Sequence, residues 1–205
     1  MSSLIKRVSF DNSVFAVDEN VYEPAEDSFL FARNLIIRHD EEVLDIGTGC
    51  GILGILAAKK AQCVLAVDIN PYAIRCAKRN ALLNGTQNRM AFLQGDLFGP
   101  LRKLVKFDVV LFNAPYLPTI EGMPLSWIEH AWAGGESGRE IIDRFISSAR
   151  DHLLEDGRIM LMQSNLAGVD ETILLFEQSS MDAQVTAELD LPFFEKLFLI
   201  EARFS

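Results

Sequence analysis

The chain has 205 residues, of which 49% are apolar, and a formal net charge of -10 at pH 7. This length suits one well-buried domain, the apolar content excludes a disordered chain, and the negative charge disfavours nucleic acid as a partner. We therefore expect one domain over residues 1–205, with a lead-in at 1–20, an N-terminal helix within 21–40 and a core from 41 to 205.

Cysteine usage and hydropathy bear on location. Cys50, Cys63 and Cys76 form no Cys-x-x-Cys pair, which favours reduced thiols in a cytoplasmic protein over a disulfide framework or a zinc site. We expect no bound metal. No apolar run approaches 18 residues and residues 1–10 lack the apolar core of an export signal, so no membrane segment is expected.

The first predicted helix follows an acidic segment. Residues 1–20 contain short strand-like pieces, and Pro24 then suits a first helical turn. Glu23, Glu26 and Asp27 either compensate the helix dipole or face a cofactor or a reacting amine, and the sequence leaves both interpretations open. The helix predicted at 27–38 buries four apolar side chains: Phe29, Leu30, Leu35 and Ile36.

From residue 42 onward, apolar strand-like runs alternate with helix-like segments, which is typical of a parallel sheet covered on both faces. Seven strands are predicted, at 42–46, 63–69, 90–94, 107–112, 158–163, 183–190 and 196–203. Helices are predicted at 51–60, 71–83, 138–154 and 169–178. A short turn around Pro192 joins the last two strands, so they should run antiparallel. We expect an α/β fold with a mostly parallel sheet and one reversed strand near an edge.

Capping residues mark two of these helices. Asn70 should cap the helix at 71–83, with Pro71 in its first position and Gly85 beyond its end. Ser137 and Glu140 have the spacing of a capping box for the helix at 138–154.

Glycines and acids follow the first three core strands at their carboxyl ends. Residues 47–51, Gly-Thr-Gly-Cys-Gly, allow a tight turn in which a ligand touches backbone amides at a helix N-terminus. A dinucleotide fingerprint needs a third glycine where this chain has Ile52, which disfavours a dehydrogenase. Asp68 suits the two hydroxyls of a ribose, and Asp96 could accept a hydrogen bond from an adenine amino group.

The fourth strand stops at Asn113-Ala114-Pro115-Tyr116. The Asn113 side-chain carbonyl and the Ala114 backbone carbonyl can together accept both hydrogens of a planar NH2 group, which then loses conjugation and turns its lone pair to an electrophile. Pro115 keeps Ala114 extended, and Tyr116 offers a face to a flat amide or base. Alternatively, the segment is only a turn, because Asn and Pro are common turn residues.

Four segments together resemble the motifs of class I S-adenosylmethionine methyltransferases: Asp45–Gly51, Asp68–Pro71, Gly95–Leu97 and Asn113–Tyr116. More narrowly, Tyr22–Asp27 and Ala131–Glu140 resemble the HemK family in its archaeal and eukaryotic branch. The resemblance implies methylation of the glutamine amide in the Gly-Gly-Gln loop of a class I release factor. The family usually has Asn-Pro-Pro-Tyr, so Ala114 is a departure that should cost rigidity rather than chemistry.

The resemblance also implies roles for matched residues. The implied binding residues for S-adenosylmethionine are Tyr22, Ser28, Asp45, Gly47, Gly49, Gly51, Asp68, Ile69, Asp96, Leu97 and Asn113. Among them, Asp45 and the glycines would hold the methionine part, Asp68 the ribose, and Asp96 with Leu97 the adenine. The implied catalytic residues are Asp27, Asn113, Ala114, Pro115 and Tyr116. Catalysis would come from positioning, and the three histidines, expected to be ordinary surface or helix residues, would take no part.

The segment from Tyr116 to Ser137 is long and lacks periodicity. It contains Trp127 and Trp132, for which burial tendencies favour packing over contact with a ligand. Our hypothesis is that this segment walls the substrate channel and orders when the protein substrate docks.

The resemblance further implies a small zinc-binding activator subunit along an exposed sheet edge, here the strand with Met90 and Phe92. Two other functions stay open. A DNA or RNA exocyclic-amine methyltransferase would need a basic channel and base extraction, and a non-catalytic subunit could keep the cofactor fold as a scaffold. The basic side chains that come into question are Lys59, Lys60, Arg75, Lys78, Arg79, Arg102, Lys103 and Lys106.

Overall fold

The computed structural model describes residues 5–120 and 126–205. In chain order, its elements are β1 (Lys6–Phe10), β2 (Ser13–Val17), α1 (Glu26–Arg33), β3 (Glu42–Ile46), α2 (Ile52–Ala58), β4 (Cys63–Asp68), α3 (Pro71–Leu83), β5 (Met90–Gln94), β6 (Phe107–Asn113), α4 (Glu140–Ala149), β7 (Leu153–Ser164), α5 (Val169–Gln178), β8 (Met181–Asp190) and β9 (Lys196–Phe204). The first four residues of the lead-in and residues 121–125 lie outside the described part.

Seven strands form one sheet in the order β5-β4-β3-β6-β7-β9-β8. Strand β9 runs antiparallel to both of its neighbours, and the other pairings are parallel, so the predicted mixed sheet is confirmed. One core cluster joins α1, α2 and α3 to one face of the sheet, and a second joins α4 and α5 to the other face. The β1–β2 hairpin packs on α3, where Asn80 Oδ1 accepts the Ala16 N–H at 2.9 Å.

Helix α1 ends five residues earlier than predicted. The Asn34 side chain donates to the Leu30 carbonyl at 2.8 Å, so it competes for the carbonyls of the last turn. The chain then leaves the helical path, and Ile36 is 73% exposed instead of buried. Phe29 and Leu35, predicted to be buried, are half-buried.

The predicted capping box of α4 is wrong. The helix begins at Glu140, and Arg139 occupies the capping position without a side-chain cap. Glu140 instead accepts the Glu136 N–H at 2.9 Å, which turns the preceding segment back on itself. The helix ends at Ala149, and a single 3-10 turn at Arg150–His152 leads into β7. The predictions for α3 are confirmed, since Asn70 Oδ1 accepts the Tyr72 N–H at 2.9 Å.

No helix in the described part of the chain has the length and apolar content needed to cross a membrane. All three cysteines are free thiols, as expected, and Cys50 and Cys76 are buried. Within residues 5–120 and 126–205, no group of three or more His, Cys, Asp or Glu side chains is placed to hold a metal ion.

Candidate active site

A cavity of about 300 Å³ opens at the carboxyl ends of β3, β4, β5 and β6. Parallel strands bring their carboxyl ends to the same edge, so the segments that follow them meet there. Ten of the eleven residues predicted to bind the cofactor line this cavity, and Gly51 does not. The first helix and the segment before α4 complete the wall.

The glycine-rich turn after β3 is built around the Asp45 carboxylate. Asp45 Oδ2 accepts the Thr48 hydroxyl at 2.5 Å and the Gly54 N–H at 3.0 Å. Gly47 and Gly49 have φ values of 64° and 58°, a backbone region that favours glycine. Burial raises the pKa of Asp45 to about 7, although these two hydrogen bonds oppose the rise.

Gly51 and Gly54 allow close packing around α2, Gly51 against α3 and Gly54 against the Asp45 side chain of β3. A Cβ on Gly51 would lie 3.1 Å from the Ala77 Cβ, which explains why Gly51 supports the turn without lining the cavity. A Cβ on Gly54 would lie 2.7 Å from the Asp45 carboxylate. Sequence reasoning missed Gly54, whose only signal was a glycine inside a predicted helix.

Asp68 at the end of β4 is held by two backbone amides. Its carboxylate accepts the Gly49 and Asn70 N–H groups, each at 2.8 Å. Burial raises the pKa of Asp68, and these hydrogen bonds oppose the rise. The carboxylate has further lone pairs, which suits a ligand that offers hydroxyl groups.

Asp96 at the end of β5 has a partner that the sequence did not indicate. The Arg144 guanidinium of α4 donates to Asp96 Oδ2 at 2.5 Å, and both side chains line the cavity. Leu97 follows with a φ of 47°. A ligand that uses Asp96 must therefore share its carboxylate with Arg144. Ile69, from the neighbouring strand end, is 42% exposed on the same wall.

Asn113 has its side-chain amide fixed by α1. Its Nδ2 donates to Asp27 Oδ2 at 3.1 Å and to Ser28 Oγ at 3.3 Å. Its Oδ1 is buried and has no hydrogen-bond partner among the described residues. An orphaned buried acceptor is costly, so this oxygen is suited to accept from a ligand.

Two tyrosines flank this amide. The Tyr22 hydroxyl lies 3.3 Å from both carboxylate oxygens of Asp27. Burial raises the pKa of Tyr22, and the Asp27 charge adds to the rise. Burial likewise raises the pKa of Tyr116, with smaller contributions from the charges of Asp27 and Glu195. Both phenols therefore stay neutral and keep their protons.

A second cavity, of about 250 Å³, lies on the other side of the amide. It is lined by Tyr22, Asp27, Ala114, Tyr116, Leu117, Ala131 and Trp132. Tyr22 and Ala131 line both cavities, so the two adjoin at that point. The Ala114 N–H donates to the Met162 carbonyl at 3.2 Å, while its own carbonyl accepts no hydrogen bond from the described residues.

The described residues between Tyr116 and α4, 117–120 and 126–139, contribute to the walls of both cavities. Leu117 pairs with Ala133, and the Thr119 N–H donates to the Gly135 carbonyl at 2.8 Å. Trp127 lines the first cavity and Trp132 the second, so both tryptophans occupy cavity walls rather than the interior of the core. Residues 121–125, within the segment hypothesised to order on docking, are outside the described ranges.

The histidines lie where expected, at the surface or on a helical turn. His39 is exposed, and His130 lies exposed on a 3-10 turn, where it lines the first cavity beside Trp127. His152 ends the 3-10 turn before β7, is only 6% exposed, and stacks its ring on Phe98. None of the eight basic residues considered for a nucleic-acid channel lines either cavity.

Known proteins resemble this chain in sequence and in fold. The model of the ribosomal protein L11 methyltransferase (PrmA) family matches residues 28–118. A protein of Methanocaldococcus jannaschii named as a protein N5-glutamine methyltransferase is 44% identical over 89% of this chain and 91% of its own. The human methyltransferase HEMK2 is 34% identical over 70% of this chain and 71% of its own.

This chain is similar in fold to a chain of the E. cuniculi Mtq2-Trm112 complex. That complex is described as responsible for methylating the termination factor eRF1. The TM-score is 0.69 at 23% identity, over 91% of this chain and 99% of that chain. The seven-stranded sheet is thus the Rossmann-like sheet of methyltransferases.

Proposed function

This chain belongs to the HemK family of protein N5-glutamine methyltransferases, and from that membership we propose that it methylates the side-chain amide of the glutamine in the Gly-Gly-Gln loop of a class I peptide chain release factor. The observation that carries the proposal is the buried, unpartnered Asn113 Oδ1. Beside it, the Ala114 carbonyl is also free of partners within the described residues. Two free acceptors side by side suit the two hydrogens of one primary amide.

These two acceptors would make the substrate amide nitrogen a better nucleophile. An amide nitrogen is a poor nucleophile because its lone pair is conjugated with the carbonyl. When Asn113 and Ala114 hold both N–H groups, the nitrogen is turned so that its lone pair points from the second cavity into the first. Tyr116 packs against the flat amide and excludes water. Holding the two reactants in this geometry can supply roughly 7 to 11 kcal/mol of the barrier in favourable cases.

We propose that the first cavity binds S-adenosylmethionine, which when bound would supply a methyl group on a sulfonium sulfur. Asp68, fixed by two backbone amides, would accept from the ribose hydroxyls. The turn at Gly47 and Gly49 would let the methionine part approach the backbone. Asp96 would accept from the adenine amino group, and Ser28 and Tyr22 would form the opposite wall.

Cofactor recognition has its own test. Binding of S-adenosylhomocysteine and of its inosine analogue, which lacks the adenine amino group, is compared by calorimetry in the wild type and in Asp96→Ala. The wild type should prefer the adenine ligand roughly tenfold or more, since a hydrogen bond to a charged group is lost with the analogue. Asp96→Ala should bind both ligands equally. A preference that survives the substitution would remove Asp96 from adenine recognition.

We also propose a small zinc-binding activator subunit on β5. This strand ends the sheet, and Ala91, Leu93 and Gln94 are exposed along it. The similar fold of the Mtq2-Trm112 complex supports a partner of this kind. We expect the wild type to copurify with such a subunit and Leu93→Lys to lose it. A lysine on the edge strand would be buried in the interface, which opposes pairing.

The decisive experiment incubates the protein with S-adenosylmethionine and a class I release factor, with and without the activator subunit, and locates the methyl group by mass spectrometry. Methylation should occur on the Gly-Gly-Gln glutamine and vanish when that glutamine is replaced. Asn113→Ala should abolish it. Methylation of RNA but not of the release factor would replace this proposal with the nucleic-acid function.

A further inference from the structure

Two phenylalanines at the turn between β8 and β9 are almost fully exposed. Phe193 is 96% and Phe194 is 99% exposed, the highest values among the large apolar side chains of the described residues. We call this pair the aromatic tip. Two adjacent large apolar side chains in water, each making almost no contact, do not stabilise the fold.

The backbone of the aromatic tip is held in an unfavourable conformation. Phe193 and Phe194 have φ values of 63° and 65°, a region that bulky residues rarely adopt. The turn is closed by the Leu191 N–H, which donates to the Glu195 carbonyl at 2.8 Å. Since glycine or asparagine would suit these positions better, folding alone does not account for phenylalanine at both.

Asn165, just after β7, holds the backbone of the aromatic tip through two hydrogen bonds. Its Nδ2 donates to the Phe194 carbonyl at 3.2 Å, and its Oδ1 accepts the Lys196 N–H at 2.8 Å. The backbone of the tip is therefore fixed relative to the sheet edge. An ordered backbone loses little further conformational freedom when a partner covers the tip.

The aromatic tip lies at the same edge of the sheet as Asn113 and Tyr116. Leu197 of β9 pairs with Ser164 of β7, and Met162 of β7 pairs with Asn113 of β6. Leu191 and Leu197 also pack in the same core cluster as Tyr116. Helix α1, which carries Asp27, contacts both β8 and β9. A polypeptide that places a side chain in the second cavity therefore passes close to the tip.

We propose that the aromatic tip is a docking site for the folded release factor, and that it contacts an apolar patch next to the loop that carries the glutamine. This inference rests on the proposed function and names the surface through which the substrate protein is recognised. Because the tip lies at the same edge of the sheet as the cavity that would take the glutamine, we assign it to the substrate protein rather than to an unrelated protein.

The charges around the aromatic tip specify the partner further. Glu188, Asp190 and Glu195 surround it, and Lys196 bridges the first two at 3.3 Å and 3.1 Å. One lysine does not balance three carboxylates, so the rim of the docking site is acidic. The complementary surface on the release factor should carry basic side chains around an apolar centre.

The test compares an intact release factor with a short peptide that contains only the Gly-Gly-Gln loop. The variant is Phe193→Asn with Phe194→Asn, because asparagine tolerates positive φ and so preserves the turn. The matched control is Leu104→Asn, an equally exposed apolar residue (93%) near the opposite edge of the sheet. KM, kcat and the Kd of the intact factor are measured for all three proteins.

We expect the double variant to raise KM and Kd for the intact factor roughly tenfold or more, as for an interface hot spot. Its kcat, and its kcat/KM on the peptide, should stay within about twofold of the wild type. The Leu104→Asn control should match the wild type throughout. An unchanged Kd for the intact factor, or an equal loss on the peptide, would overturn the docking site.

The readouts separate this inference from the proposed function. A wild-type protein that binds the factor without methylating it contradicts the proposed function, while the two Kd values still decide the docking site. Sedimentation of the wild type and the double variant tests a second copy of this chain as the occupant. A dimer that dissociates on substitution, with an unchanged Kd for the factor, would assign the tip to self-association and overturn the proposal.

Discussion

Asn113 Nδ2 donates to Asp27 Oδ2 across 3.1 Å, and this contact determines which way the Asn113 amide points. A carboxylate only accepts hydrogen bonds, so the nitrogen of the amide must face Asp27 and the oxygen must point away from it. The helix that carries Asp27 thus prepares the acceptor that we propose for the substrate.

Replacing the carboxylate should disturb this arrangement. Asp27→Asn can present either an oxygen or an NH2 group, so Asn113 loses its fixed orientation. We expect kcat to fall roughly 10- to 100-fold, as for a lost hydrogen bond to a charged group, and the Kd of S-adenosylhomocysteine to change by less than about threefold. Glu26→Gln is the matched control, since it removes a neighbouring exposed charge on the same helix, and it should leave kcat unchanged. Similar losses in both variants would indicate a general charge effect.

Ala114 stands where related enzymes usually have proline, and the structure shows what the alanine gains. Its N–H donates to the Met162 carbonyl, a hydrogen bond that proline cannot make. The expectation that alanine costs rigidity is therefore only partly met, because this bond restrains the turn. Ala114→Pro loses this hydrogen bond, which destabilises the fold by about 1 kcal/mol. It also reduces the freedom of the unfolded chain, which stabilises the fold by about 1 kcal/mol, so the two effects oppose one another. Unfolding free energy should shift by less than about 1 kcal/mol and kcat by less than about threefold; a tenfold gain in kcat would mean that the turn limits the wild type.

Cofactor binding should depend on pH through Asp45. Burial raises its pKa to about 7 from an ordinary value of 3.8, so the folded protein holds a proton between these values that the unfolded chain releases. Stability should therefore fall as pH rises through this window. We propose that the cationic amino group of the cofactor lies near Asp45 and favours its ionised form, so affinity should rise with pH below about 7, by up to roughly tenfold per pH unit.

Calorimetry with S-adenosylhomocysteine from pH 6 to pH 8 checks this dependence. Asp45→Asn should bind more weakly and flatten the profile. Asp68 is also buried in the cavity with a raised pKa, and ribose hydroxyls would favour its ionised form too, so Asp68→Asn is measured alongside Asp45→Asn. A wild-type Kd that stays constant over this range would contradict an interaction between Asp45 and the amino group of the cofactor.

A buried ion pair at the opposite edge of the sheet supports the loop after α1. Arg158 Nη1 lies 2.6 Å from Glu41 Oε1, and both side chains are at most 5% exposed. Burial alone would raise the pKa of Glu41, but hydrogen bonds from Arg158 and Arg38 outweigh it and lower the pKa to about 2. The stabilisation is thus complete above pH 4.5, the ordinary pKa of Glu41, and is lost as pH falls toward 2.

Arg158→Met should lower the free energy of unfolding by roughly 3 to 5 kcal/mol at pH 7, because it leaves a buried carboxylate without its main partner. The difference from the wild type should shrink when urea unfolding is repeated at pH 3. Arg203→Met, which breaks the exposed pair with Glu201, should have little effect. A difference that persists at pH 3 would point to lost packing rather than to the ion pair.

The sequence by itself determined the sheet and the strand-end residues around the first cavity. Apolar runs, glycines and caps are local signals, and parallel strands necessarily bring Asp68, Asp96 and Asn113 to one edge. This is why the sequence predicts the order of elements and places all but one of the proposed cofactor-binding residues around the first cavity.

Only the tertiary structure decided the partners of those residues. Asp27 and Asn113 are 86 positions apart, Asp96 and Arg144 are 48 apart, and β9 brings the aromatic tip to the edge of the sheet where Asn113 lies. No local pattern encodes such pairs, because they depend on how helices pack across the sheet. The ends of α1 and α4 were predicted wrongly for the same reason, since side chains such as Asn34 and Glu140 choose among backbone partners that only the folded chain brings within reach.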